Sequence, residues 1–216
     1  MTQDFSPRMT PPFSDGVLLA INSIPDSALA VEGPACVRTK LERICRIHDL
    51  HSTLHDAAGG HRVCTTDRGP ASVLGSMDPL RSSAQAMLDE LHPAALFLLP
   101  FAVQQAMGMD LEGVAAELAR SSNTHILTLQ SLALDGDWLD GWATVFSALA
   151  ERVPSVPERH PDSVCLAGLM HTRDEADDVA NVQGVTGLLD ALGLTVESVW
   201  SGGGTVEQLM RAAGCR

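Results

Sequence analysis

Basic residues are scarce in this chain. Fourteen arginines and lysines stand against 27 aspartates and glutamates, and Lys40 is the single lysine. The resulting net charge of −13 excludes a general role on nucleic acid or on an anionic membrane surface. With its lysine at position 40, the chain has no Walker-type lysine for the glycine run Ser201–Thr205. No apolar run approaches the roughly 20 residues that span a bilayer. The opening residues, MTQDFSPRMTPPFSDG, carry acids and prolines and lack the apolar stretch of a secretory signal, so they read as a loose arm. There is no CxxC, GxSxG, HExxH or GxGxxG, and hence no sequence signature of a dithiol redox pair, a nucleophile elbow, a zincin helix or a dinucleotide turn. Five cysteines, an odd number, point to a reducing cytoplasm and not to a disulfide framework.

What the chain does have is a βα rhythm. Short apolar or β-branched runs at Val17–Ile21, Arg62–Thr66, Ala94–Leu99 and Asn123–Leu129 read as strands. Helical periodicity falls between or after them, at Cys36–His48, Pro79–Leu91, Leu111–Arg120 and Leu139–Arg152. Beyond the proline-rich stretch Val153–Asp162, the order resumes with strand Ser163–Gly168, helix Glu175–Leu192, strand Thr195–Trp200 and helix Val206–Ala213. The expected fold class is α/β, a parallel sheet with helices on both faces. The expected layout is an arm over 1–16, a first Rossmann-like domain over 17–153, a linker over 154–162 and part of a second α/β unit over 163–216.

One stretch stands out as chemistry, Val31–Lys40 (VEGPACVRTK). Gly33 and Pro34 shape a turn, and Cys36 falls just inside the helix that follows, where unpaired N–H groups and the helix dipole favour thiolate. A thiolate is what a soft metal or an iron–sulfur cluster takes as ligand. An inert buried cysteine behind a Gly-Pro turn fits the same residues. Arg38, Lys40, Arg43 and Arg46 form a local basic strip, either a solvated helix face or a contact for an anionic ligand or acidic partner. His48, His51 and His55 share one face if the helix continues, a metal option weighed against ordinary solvent-facing histidines. Asp135, Asp137 and Asp140 lack the spacing and terminal Glu of a calcium loop. The run Ser201-Gly202-Gly203-Gly204-Thr205 joins a strand to a helix, either a plain turn or an anion cradle for a small-molecule-binding domain.

With GPACVR, RVCTT and FLLPFAVQQAMGMDLEGVAAELA in this order, the chain resembles the nitrogenase component 1 family. The Gly33-Pro34-x-Cys36 turn is similar to that family's cysteine motif, and Met109–Gly113 is similar to the segment opening the helix after its third strand. Val164–Leu209 resembles the start of its second Rossmann-like domain. The resemblance implies an oxidoreductase subunit that receives electrons from an ATP-dependent, nitrogenase-reductase-like iron protein through a [4Fe–4S] cluster. It implies Cys36 as the first ligand and Cys64 as the second. Four irons want four ligands, so the cluster is expected between two chains of a homodimer, or of a heterodimer with a homologue. Arg38, Lys40 and Arg43 would meet carboxylates of substrate or partner. Ala102 departs from the pattern, because family members commonly carry a cysteine there. Family subunits are also longer, with three α/β domains. The alternative is therefore a cluster-free scaffold, assembly factor or partner-binding module of the same family.

Overall fold

A computed structural model describes residues 11–33, 53–54, 61–66, 76–132, 135–156, 159–170 and 177–215. The chain begins with a helix, α1 (Phe13–Asn22), followed by β1 (Ser27–Glu32). Then come β2 (Val63–Thr65), α2 (Asp78–Leu91), β3 (Ala95–Pro100), the short α3 (Ala102–Ala106), α4 (Leu111–Ser121), β4 (His125–Thr128) and α5 (Trp138–Ala150). All strand pairings are parallel, and the spatial order is β2-β1-β3-β4. From β1 the chain steps to β2, then crosses back to lay β3 on the other side of β1.

Side-chain alternation along the strands divides the core in two. Leu29, Val31, Phe97, Leu99 and Leu127 face α1 and α5. Ala28, Ala30, Leu96, Leu98 and Ile126 face α2 and α4. All six residues of β1 and all six of β3 are buried, as expected of central parallel strands covered on both faces. Each fully buried leucine or phenylalanine there contributes about 1.5–3 kcal/mol.

The reading of Val17–Ile21 as a strand is corrected: these residues lie inside α1, and the strand is Ser27–Glu32. A short apolar run does not by itself separate a buried strand from a helix buried nearly all round. Phe13–Gly16, assigned to the loose arm, form the first turn of α1, and Phe13 is buried. The helix is needed here because α1 crosses α5 with backbones almost touching. A Cβ on Gly16 would stand 1.6 Å from the Trp138 carbonyl oxygen, and one on Gly141 would stand 2.0 Å from the Phe13 oxygen.

At the amino end of the sheet, Arg62 joins α1 to the strands. Its Nε donates to Thr53 O (2.7 Å), Nη1 donates to Ile24 O (3.0 Å) and to Ser27 O, and Nη2 donates to Ile21 O (3.3 Å). A guanidinium fits the C-terminal end of a helix, where carbonyls lack partners. Burial pulls its pKa down to about 10, opposed by the nearby Asp26 carboxylate.

The last elements are β5 (Ser163–Leu166), α6 (Asp178–Ala191), β6 (Thr195–Val199), α7 (Val206–Met210) and a 3₁₀ turn (Arg211–Gly214). β5 and β6 form their own two-stranded parallel sheet. Val206 and Leu209 of α7 belong to the same core as Phe13 and Ile21. Trp200 reaches Phe146 of α5, with ring centroids 5.9 Å apart. Among the described residues, no helix is long and apolar enough to cross a membrane.

Candidate functional site

In an open parallel sheet, ligands sit beyond the carboxyl ends of the strands, where the winding changes direction. Here that point lies between β1 and β3. β1 ends in Glu32, whose side chain is fully buried and accepts a hydrogen bond from the Thr66 hydroxyl just past β2. Thr66 N also donates to Val31 O at 3.1 Å. On the other flank, Phe101 N donates to Glu32 O at 2.8 Å. Gly33 follows at once, and it has to be glycine: a Cβ there would stand 2.8 Å from the Phe101 Cβ. Three strand ends are thus bound together around Glu32, and the chain leaves them through Gly33 towards Pro34 and Cys36.

Cys36 and the basic residues Arg38, Lys40 and Arg43 lie outside the described residues, as do Cys45, Arg46, His48, His51 and His55. So does the helix expected from Cys36. Cys64 is described. It stands within β2, level with Ala30, half-buried and packed on the α2/α4 side of the sheet. Ala102 is the first residue of α3, half-buried and next to Phe101. Ala102 follows Phe101, whose Cβ lies 2.8 Å from where a Cβ on Gly33 would stand.

The other two described thiols are elsewhere. Cys165 is in β5 and Cys215 follows the 3₁₀ turn, and burial pushes the pKa of both above the ordinary thiol value. A raised pKa keeps them protonated and poor as ligands or nucleophiles. Asp137 and Asp140 form a capping box on α5. Asp137 Oδ1 accepts from Leu139 N at 2.8 Å, and Asp140 Oδ2 accepts from Asp137 N at 2.8 Å.

The glycine run after β6 does not offer an open helix end. Val206 N, at the first turn of α7, donates to both carboxylate oxygens of Asp26, at 2.9 and 3.1 Å. Asp26 immediately precedes β1, so this contact lies at the amino end of the sheet, about 20 Å of strand away from Glu32. The reading of that loop as an anion cradle loses its main support.

The fit of a [4Fe–4S] cluster to the carboxyl edge divides by kind and by number. Thiol ligands are the right kind. Their number is short: Cys64 is the described thiol nearest this edge in sequence, Ala102 offers no donor, and no three metal-binding side chains cluster among the described residues.

Comparison with known proteins bears on this arrangement. The sequence profile of the nitrogenase component 1 type oxidoreductases matches residues 14–215. Two solved structures titled "Nitrogenase Cp1", at pH 5 and at pH 6.5, superpose with TM-scores of 0.72 and 0.74 at 15% and 16% identity. The superpositions cover 94% and 96% of this chain but only 41% and 40% of those chains, so it spans about two fifths of their length. No protein of curated function matches the sequence.

Proposed function

This chain belongs to the nitrogenase component 1 type oxidoreductase family, and from that premise we propose that it is the redox subunit of a nitrogenase-like reductase. In this reading a [4Fe–4S] cluster is held by Cys36, with Cys64 as second ligand, and is shared between two copies of the chain or with a homologue. The cluster supplies one-electron transfer. Electrons come from an ATP-dependent iron protein and pass to a reducible substrate, with Arg38, Lys40 and Arg43 meeting carboxylates of substrate or partner. The proposal includes a division of the chain into a first α/β domain over 17–153 and the start of a second over 163–216. It takes the place of work to be the cytoplasm.

The observation that carries this reading is the convergence on Glu32. Thr66, Gly33 and Phe101 fix the end of β1 at the winding switch, and this is the strand from which the cysteine turn departs. A rigid strand end gives a ligand loop a defined origin, which a shared site on a two-fold axis requires. The test is optical. After anaerobic reconstitution with iron and sulfide, the chain should carry a brown absorbance that bleaches only when the iron protein and ATP are both present. A Cys36→Ser chain should stay colourless.

Ala102 favours a second reading, a cluster-free scaffold or partner-binding member of the same family. Its signature is co-purification with a longer homologue and no metal, unaltered when Cys36 is replaced by serine.

A further inference from the structure

We infer that the open edge of β4 is a docking site for an extended, basic peptide segment, which adds to the sheet as a fifth strand. The inference is independent of the redox reading. β4 ends the sheet, and no strand pairs with its outer side among the described residues. His125 N and Leu129 N donate inward, to Ala94 O at 3.0 Å and Leu98 O at 2.8 Å. Parallel pairing alternates, so the amides and carbonyls of Ile126, Thr128 and Gln130 point away from β3. Exposed edges of this kind are normally blunted by lysine, proline or a bulge. His125–Gln130 reads HILTLQ and contains neither lysine nor proline.

Beside this edge runs a groove of about 390 Å³ between Thr128–Gln130 and α5. Its helix wall includes Ala143, Thr144 and Ser147, side chains small enough to admit those of an added strand. Leu132, 42% exposed, adds an apolar contact. The groove is also lined by two carboxylates, Asp140 in the first turn of α5 and Glu151 just past its last. Eleven residues of helix separate them by roughly 16 Å, close to the span of four to five extended residues. None of the described residues lining the groove is positively charged, and the acidic molecule steers basic segments towards it. The occupant is thus a strand with basic residues at i and i+4 and β-branched residues between, bound by main-chain ladder and end charges.

The probe is the fluorescent hexapeptide acetyl-Lys-Val-Thr-Val-Lys-Val-amide, titrated by anisotropy onto the full chain. Binding should weaken at least about tenfold in high salt (about 0.5 M), and should vanish when both lysines are replaced by glutamate. N-methylation of alternate peptide amides should weaken it by about tenfold or more. Gln130→Pro removes an outward amide without touching the ladder to β3 and should have the same effect. Glu151→Gln should lower affinity by a few-fold. No binding at millimolar peptide, or equal binding of the N-methylated peptide, overturns the inference. It is also overturned if the chain self-associates in sedimentation and Gln130→Pro makes it monomeric, since the edge is then occupied by a second copy.

Discussion

Asp26 closes the amino end of α7: its two carboxylate oxygens accept from Val206 N at 2.9 and 3.1 Å, across 180 residues of sequence. A carboxylate at a helix N-terminus satisfies an orphan amide and the positive dipole end together. The contact ties the β5–β6 unit to the base of β1. Asp26→Ala should cost about 1 kcal/mol in urea unfolding. It should also raise amide exchange in α7 more than in β1. Equal exchange in both would mean that the tie carries nothing.

The α1–α5 crossing leaves no room for a methyl group. Gly141→Ala should destabilise by about 3 kcal/mol, because the obstruction is the Phe13 carbonyl and not a side chain that can turn aside. Gly184→Ala, in α6 with open space around it, is the control and should be neutral or slightly stabilising.

Arg62 is the residue whose loss should be felt most widely at the amino end. Arg62→Met removes a part-buried donor shared by the carbonyls of Ile21, Ile24 and Ser27, of which Ile21 and Ile24 keep bonds from Ser27, at a cost of about 2 kcal/mol. Lysine should rescue only part of this, since a single ammonium does not reproduce the guanidinium fork. With a pKa of about 10 the side chain is charged throughout the neutral range, so the cost should not vary between pH 6 and 8.

Cys165 and Cys215 set an alkaline limit. Both thiols titrate above their ordinary value in the folded chain, chiefly through burial. The unfolded chain therefore loses these protons first as pH rises. Their stabilising contribution is complete below the unfolded thiol pKa and is lost progressively above it. Unfolding free energy measured from pH 7 to 10 should fall, and should fall less in Cys165→Ser/Cys215→Ser. Both thiols should resist alkylation at pH 8 until the chain is unfolded.

Much of this fold was legible because helices with caps and periodicity announce themselves. The periodicity over Leu111–Arg120 matches α4, and Asp110 ahead of it accepts from Gly113 N at 2.8 Å as an N-cap. Ala94–Leu99 was expected and β3 is Ala95–Pro100. The error at Val17–Ile21 arose because α1 buries seven of its ten residues, which erases the polar stripe that identifies a helix. β1 went unread because Ser27–Glu32 (SALAVE) holds two alanines and a glutamate, and its burial is set by neighbours, not by its own apolarity. At the site, the Gly33 turn was visible as a motif. The partners that hold the end of β1, Thr66 and Phe101, are joined to Glu32 only through strand register, which no local pattern displays.

The most direct test of the redox account is the iron content of anaerobically purified protein, measured with its mass in solution. The account predicts about four irons and four acid-labile sulfides per two chains, lost in Cys36→Ser and retained more firmly in Ala102→Cys. Wild-type protein without iron, or iron that survives Cys36→Ser undiminished, would contradict it.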